Sequence, residues 1–380
     1  MEPEAAYPAA RIVSPKIHAY FMRQRADATP TNGRLATLPD TATIQAIVDA
    51  AFWASLRREE GFIPKISLAF LSPDQAQTAL LFERPLPLDA GILTKVAPAV
   101  ERPGIHLGVS RGLTGLSVWG ATRSIPSLCF VVEVAAPGLI VIKHHSSEMA
   151  GKFVNVAVLE GDQVKMIDER AAAIPDCPAL LTALLGAESP SGWVSSVNQP
   201  ANVLVQLAIS MRAHARGGLL LVVPASGDAW RESIVSPIPY AVSPPYAGLA
   251  ELARLHEDTG WLNRTVDAVA GLTAVDGAVV LNNQYDVLGF GAKIVRRKGH
   301  AQVEQVIVTE PIEGAKATLI HPDKLGGTRH LSAAQFVHDQ RDEAEGCAAL
   351  VASQDGRFTV LEWSTCENMV HAHRIEALLL

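Results

Sequence analysis

The hydrophobic pattern changes character three times along the chain. Ile44, Ile47, Val48, Ala51 and Phe52 recur at helical spacing behind Asp40 or Thr41, either of which can cap a helix, and Trp53 and Leu56 widen the face. This predicts a helix ending near Glu60-Gly61, followed by a strand over Ile66–Leu71 that Ser72-Pro73-Asp74 stops. Residues 1 to about 40, with several prolines, read as an irregular lead-in. From Gly104 to Asp168 the apolar runs are short and often β-branched: Ile105–Val109, Leu116–Trp119, Leu128–Val134, Leu139–Ile142 and Phe153–Leu159. Glu160-Gly161-Asp162-Gln163 makes a hairpin turn into Val164–Ile167. The first half is thus an α+β unit.

Gly186 to Pro200 is rich in Gly, Ser and Pro, and it separates a first domain (1–190) from a second (198–370). Beyond it, helix and strand alternate. Val203, Leu204, Leu207, Ala208 and Met211 line one helical face, and Gly217-Gly218 stops that helix. Leu219–Val223 is continuously apolar, as in a strand buried on both faces. Pro237, Pro239, Pro244 and Pro245 mark a connector, and helices follow near Leu249–His256 and Leu262–Leu272. Gly277–Leu281 and Val287–Ile294 form a hairpin about Asn282-Asn283, Thr328 to about Glu343 is a helix, and Cys347–Ala352 pairs with Phe358–Glu362 about Asp355-Gly356. The fold class is α/β: a C-terminal mixed-sheet domain flanked by helices, preceded by an α+β domain. The sequence shows no internal repeat.

Composition narrows the function. At 380 residues, 48% hydrophobic and 19% charged, the chain can bury large cores. A net charge of −7 argues against a general nucleic-acid binder, and no apolar run approaches the ~20 residues of a membrane helix. Cys129, Cys177, Cys347 and Cys366 form no C-x-x-C pair, and Met1-Glu2-Pro3-Glu4 does not open a signal peptide. A cytoplasmic protein is expected.

Two stretches carry chemistry. Asp276 opens the run Gly277-Ala278-Val279-Val280-Leu281, where a carboxylate can hold Mg²⁺ or Mn²⁺ and the small residues leave room for a base or sugar. An ordinary Asp-Gly turn is the alternative. Gly326-Gly327-Thr328-Arg329-His330-Leu331-Ser332 opens a helix. Its glycines allow close approach, Thr328 can cap, free N–H groups favour an anion, Arg329 can fork onto phosphate and His330 can donate one more bond. A capped, solvated surface helix is the alternative. His144-His145 and His371/His373 read as surface or tail histidines, since no acid or cysteine joins them at metal-ligand spacing. Arg296-Arg297-Lys298 reads as a solvated loop, His338 and Asp339 as a solvated helix face, and Trp119, Trp193, Trp230 and Trp363 as core or interface aromatics.

Together, Asp276-Gly277-Ala278 and Gly327-Thr328-Arg329-His330 resemble the D-G-A and G-T-R-H-R motifs of the diadenylate cyclase family (the DisA_N or DAC domain), over roughly residues 200 to 365. Val287–Ile294 looks like the family's second hairpin strand and Cys347–Glu362 like its last hairpin. Phe52-Trp53-Ala54-Ser55-Leu56 and Glu59-Glu60-Gly61 look like a bacterial subgroup with a variant N-terminal region (DACNV), described as probable sensors. The resemblance implies condensation of two ATP into cyclic di-AMP by two protomers face to face, hence a homo-oligomer. It implies that Asp276 binds the metal and helps activate a ribose hydroxyl, that Gly277 and Ala278 line the nucleoside, and that Gly327, Thr328, Arg329, His330 and Ser332 hold the phosphates. Leu331 stands where the family has its second Arg, and loss of a charged phosphate contact costs about 1.5–3 kcal/mol. A catalytically silent nucleotide or second-messenger sensor, in bacterial signalling or phage defence, is the second reading, and a purely structural pairing module the third.

Overall fold

The computed structural model describes residues 6–28, 35–112, 115–145, 153–168, 203–254, 259–343 and 346–380, with isolated positions between 170 and 184. The Gly186–Pro200 boundary segment and Trp193 lie outside them. The chain divides into two compact units, Met1–Ile167 and Asp168–Leu379, each mixing helices with one mixed sheet.

The first unit opens with α1 (Pro8–Asp27), where the sequence predicts an irregular lead-in. Pro8 occupies the first turn, where its missing N–H costs nothing. Pro15 lies inside the helix on its exposed side, so the lost bond faces water. Ala9, Ala10, Val13, Ile17, Tyr20 and Phe21 form a continuous buried stripe. The prolines masked that periodicity. The helix α2 (Thr41–Ser55) begins where predicted, with Asp40 Oδ1 accepting from Thr43 N at 2.7 Å. There follow β1 (Ser67–Phe70), β2 (Ala79–Pro87), α3 (Ala90–Val96), β3 (His106–Gly112), β4 (Gly115–Thr122), β5 (Phe130–Ala136), β6 (Leu139–His145), β7 (Phe153–Glu160) and β8 (Gln163–Met166). The strands form one sheet in the order β2-β4-β3-β1-β5-β6-β7-β8. The three helices cover one face, burying Leu68, Phe70, Leu107, Val109, Phe130, Val132 and Ile142. His144, expected at the surface, is 5% exposed and bonds Tyr20 Oη through Nε2 at 3.1 Å. It alternates inward with Ile140 and Ile142, and a neutral imidazole with a partner is tolerated there.

The second unit runs α4 (Val203–Ala213), β9 (Gly218–Val223), β10 (Tyr240–Tyr246), α5 (Gly248–Arg254), α6 (Thr259–Leu272), β11 (Ala278–Asn282), β12 (Val287–Ala292), β13 (Val306–Thr309), β14 (Thr318–Ile320), α7 (Thr328–Asp339), β15 (Ala348–Ala352), β16 (Phe358–Ser364) and β17 (Met369–Arg374). Its sheet order is β10-β12-β11-β9-β15-β16-β17-β13-β14. All six residues of β9 are buried, as a central strand requires. Leu219, Leu221 and Val223 pack with Ala333, Phe336 and Val337 of α7.

Four expectations need correction here. The proline-rich connector is the edge strand β10, and an edge position tolerates Pro244 and Pro245 because it is paired on one side only. The solvated loop expected at Arg296-Arg297-Lys298 precedes β13 and β14. Arg297 in it pairs with Glu232 at 2.7 Å and Glu343 at 3.4 Å, while Arg296 and Lys298 are exposed as expected. Its backbone N–H donates to Asp339 Oδ2 at 2.8 Å, and Asp339 is fully buried rather than solvated. His371 and His373 are also buried, on β17; their rings stack 3.8 Å apart and both meet Thr309 Oγ1, at 2.9 and 3.0 Å.

The two units share a frame. The order β2-β4-β3-β1-β5-β6-β7 in the first corresponds strand for strand, and in chain order, to β10-β12-β11-β9-β15-β16-β17 in the second. The pairing senses also agree. β1/β3 and β9/β11 are parallel, and each other neighbouring pair of this shared frame is antiparallel.

Candidate functional site

The two motifs meet at one end of the second sheet. β9 and β11 are parallel neighbours, so the residues entering them, Gly217 and Asp276, lie at the same edge. Arg329, on the first turn of α7, lays its guanidinium against Gly217: a β-carbon there would stand 2.9 Å from Nη1. Gln354, in the β15–β16 turn, closes on the same glycine and donates from Nε2 to the Arg216 carbonyl at 3.4 Å. With φ of +72°, Gly217 adopts a left-handed conformation that favours glycine, and a side chain there would also have to displace the Arg329 guanidinium.

Asp276 is open to solvent, its side chain 92% exposed. Lys293, just beyond β12, donates to its Oδ2 at 2.6 Å. That bond and charge hold the carboxyl below the usual range, and Arg329 adds a smaller pull in the same direction. Asp276 and Arg329, 53 residues apart in sequence, therefore feel each other electrostatically.

Gly277 has φ of +115°, and any β-carbon would run into the backbone of Gly291. This lets the β11–β12 hairpin close tightly behind Asp276. Gly291 in turn supports the ring of Tyr240 on β10, which stacks on Phe290 with centroids 4.7 Å apart. Tyr240 is 52% exposed and presents an aromatic surface beside the acid. Ala278 is fully buried in β11.

The helix start differs in detail from its sequence pattern. The cap is Gly327, whose carbonyl accepts from His330 N, and Thr328 is the first helical residue with an exposed side chain. Its place inside the first turn prevents the hydroxyl from capping. His330, expected to offer a bond to phosphate, turns inward. It is 3% exposed, its ring packs over Gly326, and Nε2 meets Thr359 Oγ1 at 3.3 Å. Burial, aided by the charge of Arg374, lowers its pKa to about 4, so it is neutral at pH 7. Leu331 and Ser332 are half-buried. The cation of this turn is Arg329, which is half-buried and for which no hydrogen bond or ion pair is found among the described residues.

As a metal site the donor set is thin. Asp276 offers one carboxylate with an ammonium already on it, and no group of three His, Cys, Asp or Glu side chains gathers among the described residues. Gly217, Tyr240, Lys293 and Gln354 belong to the site without any sequence motif. Lys293 alone had a signal, as a cation at the end of the strand paired with Asp276.

Residues 33–123 match the family model DACNV, described as a probable sensor domain. The match spans α2, α3 and β1 to β4 of the first unit and stops short of Asp276 and Arg329. No curated protein matches the chain. No helix among the described residues is long and apolar enough to cross a membrane.

Proposed function

We propose that the second unit binds an adenine nucleotide or cyclic dinucleotide between Asp276 and Arg329, and that the chain works as a sensor of that ligand. The observation that carries this reading is the convergence of Gly217, Asp276, Arg329 and Gln354 from four separate stretches onto one sheet end. Arg329 with the open N–H groups of the α7 start supplies an anion seat. Tyr240 supplies a flat apolar surface for a base. The similarity of the first unit to a probable sensor domain supports a binding rather than a turnover role.

Diadenylate cyclase activity is the second reading, favoured by Asp276 itself. An acid at that place suits activation of a ribose hydroxyl with Mg²⁺ or Mn²⁺ aligned by the triphosphate, and two protomers would face each other. Against it stand the inward His330 and Leu331 at the place of a second Arg, which leave Arg329 as the main cationic grip on the triphosphate.

Calorimetry with ATP and with cyclic di-AMP, beside incubation with ATP and Mn²⁺ followed by chromatography, separates the readings. Binding without product is the expected result. Cyclic di-AMP formed by the parent and not by Asp276→Asn would replace the sensor reading by the cyclase, and no binding of either ligand would remove both.

A further inference from the structure

We infer that Lys293 serves as a built-in cation at the nucleotide site, taking the place a divalent metal would occupy on Asp276, so that nucleotide binding is independent of metal. The inference rests on the proposed nucleotide reading of this site and adds the nature of its counter-ion. Three observations support it. Lys293 Nζ lies 2.6 Å from Asp276 Oδ2 and is half-exposed, so the ammonium has donors left for a phosphate oxygen. Asp276 joins no group of three His, Cys, Asp or Glu side chains among the described residues, and so thin a donor set is a poor cage for a hard cation that takes six or more oxygen ligands. A dication brought to the same oxygen would also meet the ammonium at close range and be repelled by it.

The electrostatics of the pair suit an anionic ligand. Asp276 alone would repel phosphate. Lys293 cancels that charge, and with Arg329 these three groups carry a net positive charge. The tight β11–β12 hairpin, with Gly277 packed on Gly291, brings Lys293, the residue after β12, next to Asp276, two residues before β11. Lys293 is thus delivered by the backbone frame rather than by a flexible loop.

The test is ATP binding by the full chain in EDTA and in Mn²⁺, for the parent, Lys293→Met and Lys293→Arg. The parent should bind with affinities within about threefold in the two buffers. Lys293→Met should weaken binding in EDTA by roughly tenfold, as expected for loss of a charge-assisted bond, with Mn²⁺ restoring most of it, and Lys293→Arg should stay near the parent. A parent that requires Mn²⁺, or a Lys293→Met protein that binds in EDTA like the parent, overturns the built-in cation and leaves the nucleotide reading standing. Failure of the parent to bind in either buffer overturns the nucleotide reading, and this inference with it.

Discussion

In the first unit Arg123–Cys129 joins β4 to β5; in the second, residues 293–347 join the corresponding β12 to β15. The seven shared strands are otherwise ordered and paired alike. The longer connection brings β13, β14 and α7, and with them Arg329. The two frames also differ where the strand beside the central one begins. β11 is entered through Asp276-Gly277, whereas Arg102-Pro103-Gly104-Ile105 leads into β3 without a carboxylate. The comparison separates what the sheet provides from what the site needs. The frame aligns two strand starts at one edge in both units, and Arg123 follows β4 as Lys293 follows β12, but only the second unit has an acid two residues before the strand and, from the insertion, Arg329. Chemistry is grafted on a fold that is stable without it.

The largest predicted effect tests whether the two frames stand separately. Phe336 on α7 and Phe130 on β5 are both fully buried in their own cores. Truncation of either to Ala should cost about 3–5 kcal/mol through lost burial and a cavity. Denaturant unfolding with ATP binding as second readout distinguishes them. Phe336→Ala should destabilise the nucleotide-binding transition, and Phe130→Ala should leave ATP affinity within about twofold. Equal loss of affinity from both would show that the units do not stand as independent frames.

Arg329→Ala comes next. Loss of a charged phosphate bond of about 1.5–3 kcal/mol corresponds to roughly ten- to a hundredfold weaker ATP binding. Adenosine, lacking phosphate, should bind as before. Equal losses for the two ligands would remove the phosphate role, and with it the main difference between this sheet edge and that of the first unit.

A smaller effect follows from two of the buried histidines, His106 in the first frame and His330 in the second. His106, at the start of β3, bonds Ser67 Oγ at 2.7 Å, and burial foremost lowers its pKa to about 4, the same value as His330. Both pKa values lie below that of an unfolded histidine, so the unfolded chain binds these protons first. Each residue's contribution is present above about pH 6.5 and is lost as pH falls toward 4. Urea unfolding at pH 7 and pH 5 should therefore show both units weakened by acid. His330→Gln should flatten that dependence in the second unit alone; an unchanged slope there would sink the assignment.

Much of the second unit was legible because its signals are local. The continuous run Leu219–Val223, the hairpin about Asn282-Asn283 and the helix opened by Gly327-Thr328 each announce themselves within a few residues. Asp276 and Arg329 stand out in the same local way as candidate residues. The shared frame was not legible, because it lies in strand order, which pairing across distant segments decides. α1 was hidden by Pro8 and Pro15, whose cost depends on which turn and which side of the helix they occupy. The inward turn of His330 and of His371 and His373 depends on alternation within helix and sheet contexts that motif reading ignores. Lys293 was missed because its partner is set by a tight hairpin rather than by spacing.

Leu331→Arg tests the smallest difference between this site and the motif it resembles. Leu331 is half-buried on the first turn of α7, beside Arg329, and an Arg there can carry its charge outward while its stem covers the same apolar surface. A partly exposed ionic contact is worth about 0–1 kcal/mol, so ATP affinity should rise by at most roughly fivefold. The informative readout is turnover with ATP and Mn²⁺. No cyclic di-AMP is expected, because the added charge leaves Lys293 on Asp276 and supplies no further metal ligand. Product from this variant alone would mean that the frame and the acid were already competent, and that one missing guanidinium, rather than the ammonium beside Asp276, keeps the second unit silent.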